Sequence, residues 1–150
     1  MPEPRITVDE LEVQLVTDPK AIAAADVAAV FAHGGWTRER SLEAIQRMLE
    51  NTEFAVLART ATGPVGFARL VTDRTFRAFV EDVVVVQRAR GRGVGKAMML
   101  WLEDVARRLG VPRLDLTTQE AAFWAKLGFE LKPASKCMVK RLTMQRAAPE

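Results

Sequence analysis

A chain of 150 residues that is 49% hydrophobic has the size of one compact domain with a real core, and lacks the length for two ordinary ones. Its formal charge of +3, from 22 basic and 19 acidic residues, is too small for a polycation built to coat nucleic acid, so any anion site must be local. One cysteine, Cys137, and one histidine, His33, exclude an internal disulfide and a Cys/His zinc cluster and fit a reducing cytoplasm; neither the polar start MPEPRITVDE nor the alanine-rich tract 21–32, broken by Asp26, predicts a signal or membrane segment.

Leu11 to Thr17 (LEVQLVT) alternates apolar with polar residues and predicts a half-buried first strand. Asp18 as cap, Pro19 at the first helical position and Gly34-Gly35 as stop predict a helix over about 19–33. Ser41 can cap a second helix with Leu42, Ile45, Met48 and Leu49 as its apolar stripe, ending near Asn51. From Phe54 the period becomes two: FAVLART, a turn at Thr62-Gly63-Pro64, VGFARLVT, a turn near Asp73-Arg74, then FRAFVEDVVVV, an antiparallel meander. A third helix follows, with Val94, Met98, Trp101, Leu102, Val105 and Leu109 on one face, until Gly110 and Pro112 stop it. Arg113 to Thr117 predicts a further strand, Gln119 to Leu127 a short helix ending at Gly128, and residues from about 129 to 142 one or two closing strands, with MQRAAPE at 144–150 as a frayed end. The expectation is a single α/β domain with a mixed, mostly antiparallel sheet and flanking helices.

Between the meander and the third helix stands QRARGRGVGK. A Walker-type loop would need glycine where Arg90 stands and Ser or Thr where Ala97 stands. A dinucleotide fingerprint would need glycine at Lys96 or at Met98. Alternate glycines before a helix instead let successive N–H groups converge at the positive end of the helix dipole, where a phosphate or pyrophosphate can sit. Arg88, Arg90, Arg92 and Lys96 raise the local potential. The plain alternative is an ordinary strand-to-helix turn with solvated arginines. A flexible arginine-glycine RNA binder fits poorly, because a valine strand and a helix pin the run.

The run VVVQRARGRGVGKAMM resembles the acyl-CoA motif Q/R-x-x-G-x-G/A of the GNAT N-acetyltransferase superfamily, with Arg90, Gly93 and Gly95 on its fixed positions. AAFWAKLGFE, Ala121 to Glu130, is similar to a second family motif, an aromatic pair followed by Gly-Phe. Element order matches that fold over about residues 11–142. The resemblance implies an acetyl-CoA-dependent transfer to an amine acceptor, expected to be a small molecule, and late strands in this fold allow a homodimer; the small net charge, the pinned glycine run and the hydropathy predict no nucleic-acid or membrane partner. It places the pyrophosphate on the amides of Arg90, Gly91, Arg92, Gly93, Val94, Gly95 and Lys96. It sets the pantetheine arm against the splayed end of a strand at Val83, Val84 and Val85, one of whose amides polarises the thioester carbonyl.

Glu81 and Asp82 are the candidates for the base that deprotonates the amine. Regular alternation sends them to opposite faces; Glu81 shares its face with Val83, and the resemblance favours this first acid, unless a bulge twists the strand. Thr117 stands where many family members carry an asparagine that bonds the pantetheine. Trp124 stands where they usually carry a tyrosine that protonates the leaving thiolate, and this chain has no tyrosine. Its absence admits an alternative, a non-catalytic acyl-CoA-binding module of the same fold. His33 reads as a helix-end residue, Trp36 as either packing or an acceptor-pocket wall, Phe76 and Phe79 as pocket or core aromatics, and Cys137 as no nucleophile.

Overall fold

The computed structural model describes residues 3–143 apart from 9, 133 and 135. Residues 144–150, expected to fray, lie outside the described residues. The chain divides into two units, residues 1–116 and residues 117–150.

The first unit holds one sheet in which β1 (Arg5–Val8), β2 (Leu11–Val16), β3 (Phe54–Thr60), β4 (Gly63–Thr72) and β5 (Ala78–Val85) lie in sequence order, each antiparallel to the next. β1 adds to the expected set. Ile6 and Val8 alternate with Arg5 and Thr7, and pair from Arg5 opposite Gln14 to Val8 opposite Leu11, a period-two signal only four residues long inside a polar start.

Three helices accompany the sheet: α1 (Ala24–Phe31), α2 (Leu42–Glu50) and α3 (Val94–Leu109). The helix expected over 19–33 is broken. Asp18 does cap the Lys20 amide, but Pro19–Ala21 is a single tight turn, and Ala23 is extended before α1 begins. The break lets Ile22 be buried. Ser41 caps α2 as expected, its hydroxyl oxygen accepting from the Ala44 N–H at 3.1 Å.

Alternation along β4 assigns the faces. Phe67 meets the ring of Phe31 edge-on at 5.4 Å, so α1 covers its face. Gly66 looks the other way, and a Cβ there would come within 2.9 Å of Met98 Cε, so the missing side chain is what lets α3 lie close. Val94, Met98, Met99, Leu102, Val105 and Ala106 form the buried side of α3, each large side chain contributing about 1.5–3 kcal/mol of apolar burial. Trp101 and Leu109, expected in that stripe, are half-buried at its flank.

The strand expected at 113–117 shrinks to one parallel bridge, Phe79 to Asp115. The Val80 N–H donates to the Asp115 carbonyl and the Asp115 N–H to the Ala78 carbonyl, both at 2.9 Å. The sheet is therefore antiparallel with one parallel contact at its β5 edge.

The second unit contains α4 (Ala121–Ala125), shorter than the 119–127 expected. Trp124 packs edge-on against Phe123 at 5.1 Å and Phe129 at 5.3 Å, and Gly128 adopts φ +91° where the helix ends. Among the described residues of 129–143 no strand forms, so the closing strands are not observed. Val139 is the sole β-branched residue between 129 and 142, which leaves little local preference for a strand.

Candidate active site

The centre of β5 departs from regular pleating. Phe67 pairs with Val84 and Arg69 with Glu81, so between these pairs β5 carries one residue more than β4. Asp82 absorbs the insertion at φ +55°, a left-handed conformation that costs a residue with a Cβ roughly 1–2 kcal/mol. The bulge resets which face each side chain takes. Glu81, opposite Arg69, stands on the α1 face, and Asp82 reaches Arg69 as well. The alternation that grouped Glu81 with Val83 and set Asp82 opposite is thus corrected: both acids serve one face.

Their surroundings differ sharply. Asp82 Oδ2 accepts from Arg69 Nε at 2.7 Å and lies 2.8 Å from Arg40 Nη1, while Oδ1 accepts from the Trp36 indole N–H at 3.2 Å. Burial pushes this carboxyl up, but hydrogen bonds and charge from Arg40 and Arg69 outweigh it and hold the group below the usual carboxylate range. An acid so engaged stays ionised and is a poor proton acceptor. Glu81 is exposed and its side chain has no hydrogen bond or ion pair among the described residues, so its carboxylate oxygens are available to a substrate.

Beyond the bulge no strand pairs with the outer edge of β5 among the described residues. The Val86 N–H donates to the Val65 carbonyl at 2.9 Å, and alternation turns the backbone of Val84 toward β4 and that of Val83 and Val85 outward. Val84 also buries its side chain, in reach of any Cβ at Gly34. Past Val80 no further backbone hydrogen bond joins β5 to residues 113–116 among the described residues. Of the three valines expected to receive an extended ligand, two point their backbone groups outward.

The glycine turn follows directly. Gly91 at φ +74° and Gly93 at φ +85° use a region closed to most side chains, and Gly93 is the left-handed cap of α3. The first helical bond runs from the Ala97 N–H to the Gly93 carbonyl, so the amides of Val94, Gly95 and Lys96 precede the ladder at the positive end of a 16-residue helix. Space above Gly91 is open, whereas a Cβ on Gly93 would meet Val8 Cγ1 at 2.5 Å, so β1 packs against the turn.

Arg88 and Lys96 are exposed beside these amides, and Arg92 is half-buried. Arg90 folds back instead. Its Nε donates to the Val85 carbonyl at 2.9 Å and its Nη2 to the His33 carbonyl at 2.8 Å, while His33 Nδ1 accepts from the Gln87 N–H at 3.2 Å. Arg90 and His33 therefore brace the turn against the end of α1. Thr117 and Trp124 belong to the second unit.

Sequence reasoning passed over Arg40, Arg69 and Val8. Arg69 had a readable signal, because a guanidinium in the middle of VGFARLVT must find a partner if the strand is buried. Nothing in periodicity marks Arg40. Among the described residues no cluster of His, Cys, Asp or Glu could hold a metal ion, and no helix is long and apolar enough to cross a membrane.

The family model described as the acetyltransferase (GNAT) family matches residues 22–129. Serotonin N-acetyltransferase 2, chloroplastic, of Oryza sativa subsp. japonica is 37% identical over 110 residues, covering 69% of this chain and 54% of that protein. N-alpha-acetyltransferase 80 of Mus musculus is 47% identical over 70 residues, covering 45% of this chain and 22% of that protein. The chain thus spans about half the length, or less, of these curated relatives. Among solved structures, a GNAT-family acetyltransferase of Streptococcus pneumoniae TIGR4 superposes with a TM-score of 0.70 at 22% identity, over 90% of this chain and 99% of that one, a likeness of fold.

Proposed function

The chain belongs to the GNAT acetyltransferase family, and from that membership we propose that it transfers the acetyl group of acetyl-CoA to the nitrogen of a small-molecule amine. The observation that carries this reading is one strand with three neighbouring features: exposed, unpartnered Glu81, the edge at Val83 and Val85 with no strand paired to it among the described residues, and the glycine turn. When bound, acetyl-CoA supplies an acetyl group activated as a thioester. The amides of Val94, Gly95 and Lys96, with the charges of Arg88 and Lys96, hold its pyrophosphate at the positive end of α3. The outward backbone groups of Val83 and the Val85 N–H pair with the pantetheine arm, since Arg90 occupies the Val85 carbonyl. An outward amide of this edge donates to the carbonyl oxygen as charge develops there. Glu81 takes the proton of the attacking amine, directly or through one water, as the carbon–nitrogen bond forms and the carbon–sulfur bond breaks. Asp82, tied to three donors, fixes the bulge that presents Glu81.

The names of the rice and mouse relatives both specify transfer to nitrogen, which supports an amine acceptor. One observation favours the second reading, an acyl-CoA-binding module without turnover: the chain has no tyrosine, and an indole at Trp124 does not give up its proton near neutral pH. A thiolate is a far more stable leaving anion than an alkoxide or an amide ion, so the loss is compatible with catalysis. Thiol release from acetyl-CoA in the presence of an amine panel, beside calorimetric acetyl-CoA binding, tests the choice. Binding with amine-dependent release supports the enzyme; binding without release, restored by Trp124→Tyr, supports the module.

A further inference from the structure

The face of β4 and β5 that carries Glu81 is apolar beside it. Val71 pairs with Phe79 two residues along from the pair Arg69 and Glu81, and alternation puts all four on the α1 face. Phe79 is 40% exposed, Val71 46%, Phe76 in the β4–β5 connection 70%, and Trp36 in the α1–α2 connection 61%. Trp36 is not a loose surface ring. Its N–H is fixed on Asp82 Oδ1, and Asp82 is itself held by Arg40 and Arg69, so the indole is oriented by a buried ionic cluster one residue from Glu81. Ordered aromatic surface next to an available carboxylate is surface built to be covered by a ligand.

The charges narrow the ligand. Arg40 and Arg69 exceed Asp82 by one positive charge beneath the patch; Glu53, which lines a cavity with Arg69 and Val71, is paired with Arg74, and Glu81 offers the available negative charge at the edge. A single ammonium is matched by Glu81; a second cationic group would meet the arginines. The apolar side chains offer no hydrogen bonds to hydroxyl groups of a sugar amine.

We propose that Trp36 is a specificity-determining residue of the acceptor site, with Asp82 as its positioning residue, and that the acceptor is a monoamine carried on an apolar body. The inference rests on the acetyltransferase reading and names the substrate class of that same site. Trp36 and Phe79 cover the apolar body while Glu81 meets the nitrogen, and the ammonium can also rest against the indole face.

The test compares phenethylamine and hexylamine with spermidine, glucosamine and glucosamine 6-phosphate. Thiol release is measured at saturating acetyl-CoA, and binding of each amine is measured calorimetrically to the CoA-loaded protein, for the parent, Trp36→Phe and Trp36→Ala. The expected result is kcat/KM at least about tenfold higher for the two apolar monoamines, lost about tenfold through KM in Trp36→Ala and largely kept in Trp36→Phe, with KM for acetyl-CoA unchanged. Preference for a polyamine or sugar amine, or an unaltered amine KM in Trp36→Ala, overturns the inference while leaving the acetyltransferase reading intact. If no amine supports release, the enzyme reading falls, and calorimetry still decides this one: apolar amine binding that Trp36→Ala abolishes upholds the site, and none overturns it.

Discussion

Arg69 Nε lies 2.7 Å from Asp82 Oδ2 at the one residue of β5 held at φ +55°, so an ion pair secures the bulge on which the proposed site depends. Arg40 at 2.8 Å completes a cluster in which the carboxylate is buried and both guanidiniums are partly so.

Asp82→Asn leaves two guanidiniums without their counter-charge and is expected to destabilise the fold by about 2–4 kcal/mol at pH 7. Because the folded carboxyl is held below its ordinary range, its contribution is complete above the unfolded value of about 3.9 and fades as pH falls through the folded one. Urea titrations at pH 7 and pH 3 should therefore show the gap between parent and variant narrowing in acid; a gap independent of pH would remove the ion pair from the account.

Glu81 is exposed and unpartnered, so Glu81→Gln should leave the melting temperature within a degree or so while lowering kcat by about a hundredfold. The loss should be greatest at low pH, where fewer amines are already neutral, and acetyl-CoA affinity should hold. An unchanged pH–rate profile would exclude Glu81 as the base.

Gly91 and Gly93 share a positive φ but not their surroundings. Gly91→Ala meets open space and should cost about 1–2 kcal/mol of backbone strain, whereas Gly93→Ala also drives a Cβ into Val8 Cγ1 and should cost more. A double-mutant cycle checks the contact: Val8→Ala should recover part of the Gly93→Ala loss and none of the Gly91→Ala loss.

Arg90 spends its guanidinium on the Val85 and His33 carbonyls. Arg90→Gln should raise KM for acetyl-CoA about tenfold by loosening the turn, with amine KM little changed. An equal fall in kcat with KM constant would point instead to a direct part in the chemistry.

The order of elements from β2 to α3 was legible because hydrophobic period, caps and turn residues agree there: Ser41 caps α2, Gly110 ends α3, and glycines 91 and 93 do adopt positive φ. The bulge was not, since inserting one residue changes the face of every neighbour without changing composition. Nor was the guanidinium cluster, because Arg40 and Asp82 are brought together by the α1–α2 connection, and no local rule links residues so far apart. The closing strands expected at about 129–142 are not observed among the described residues, where a single β-branched residue, Val139, leaves little local strand preference.

The most direct test of acetyl transfer is to incubate the protein with acetyl-CoA labelled in its acetyl group and a panel of amines, following the label and the thiol together. The account predicts amine-dependent thiol release with one labelled acetyl group on the amine nitrogen for each thiol released. Tight acetyl-CoA binding with thiol release no faster than hydrolysis, and no label on any amine, would contradict it.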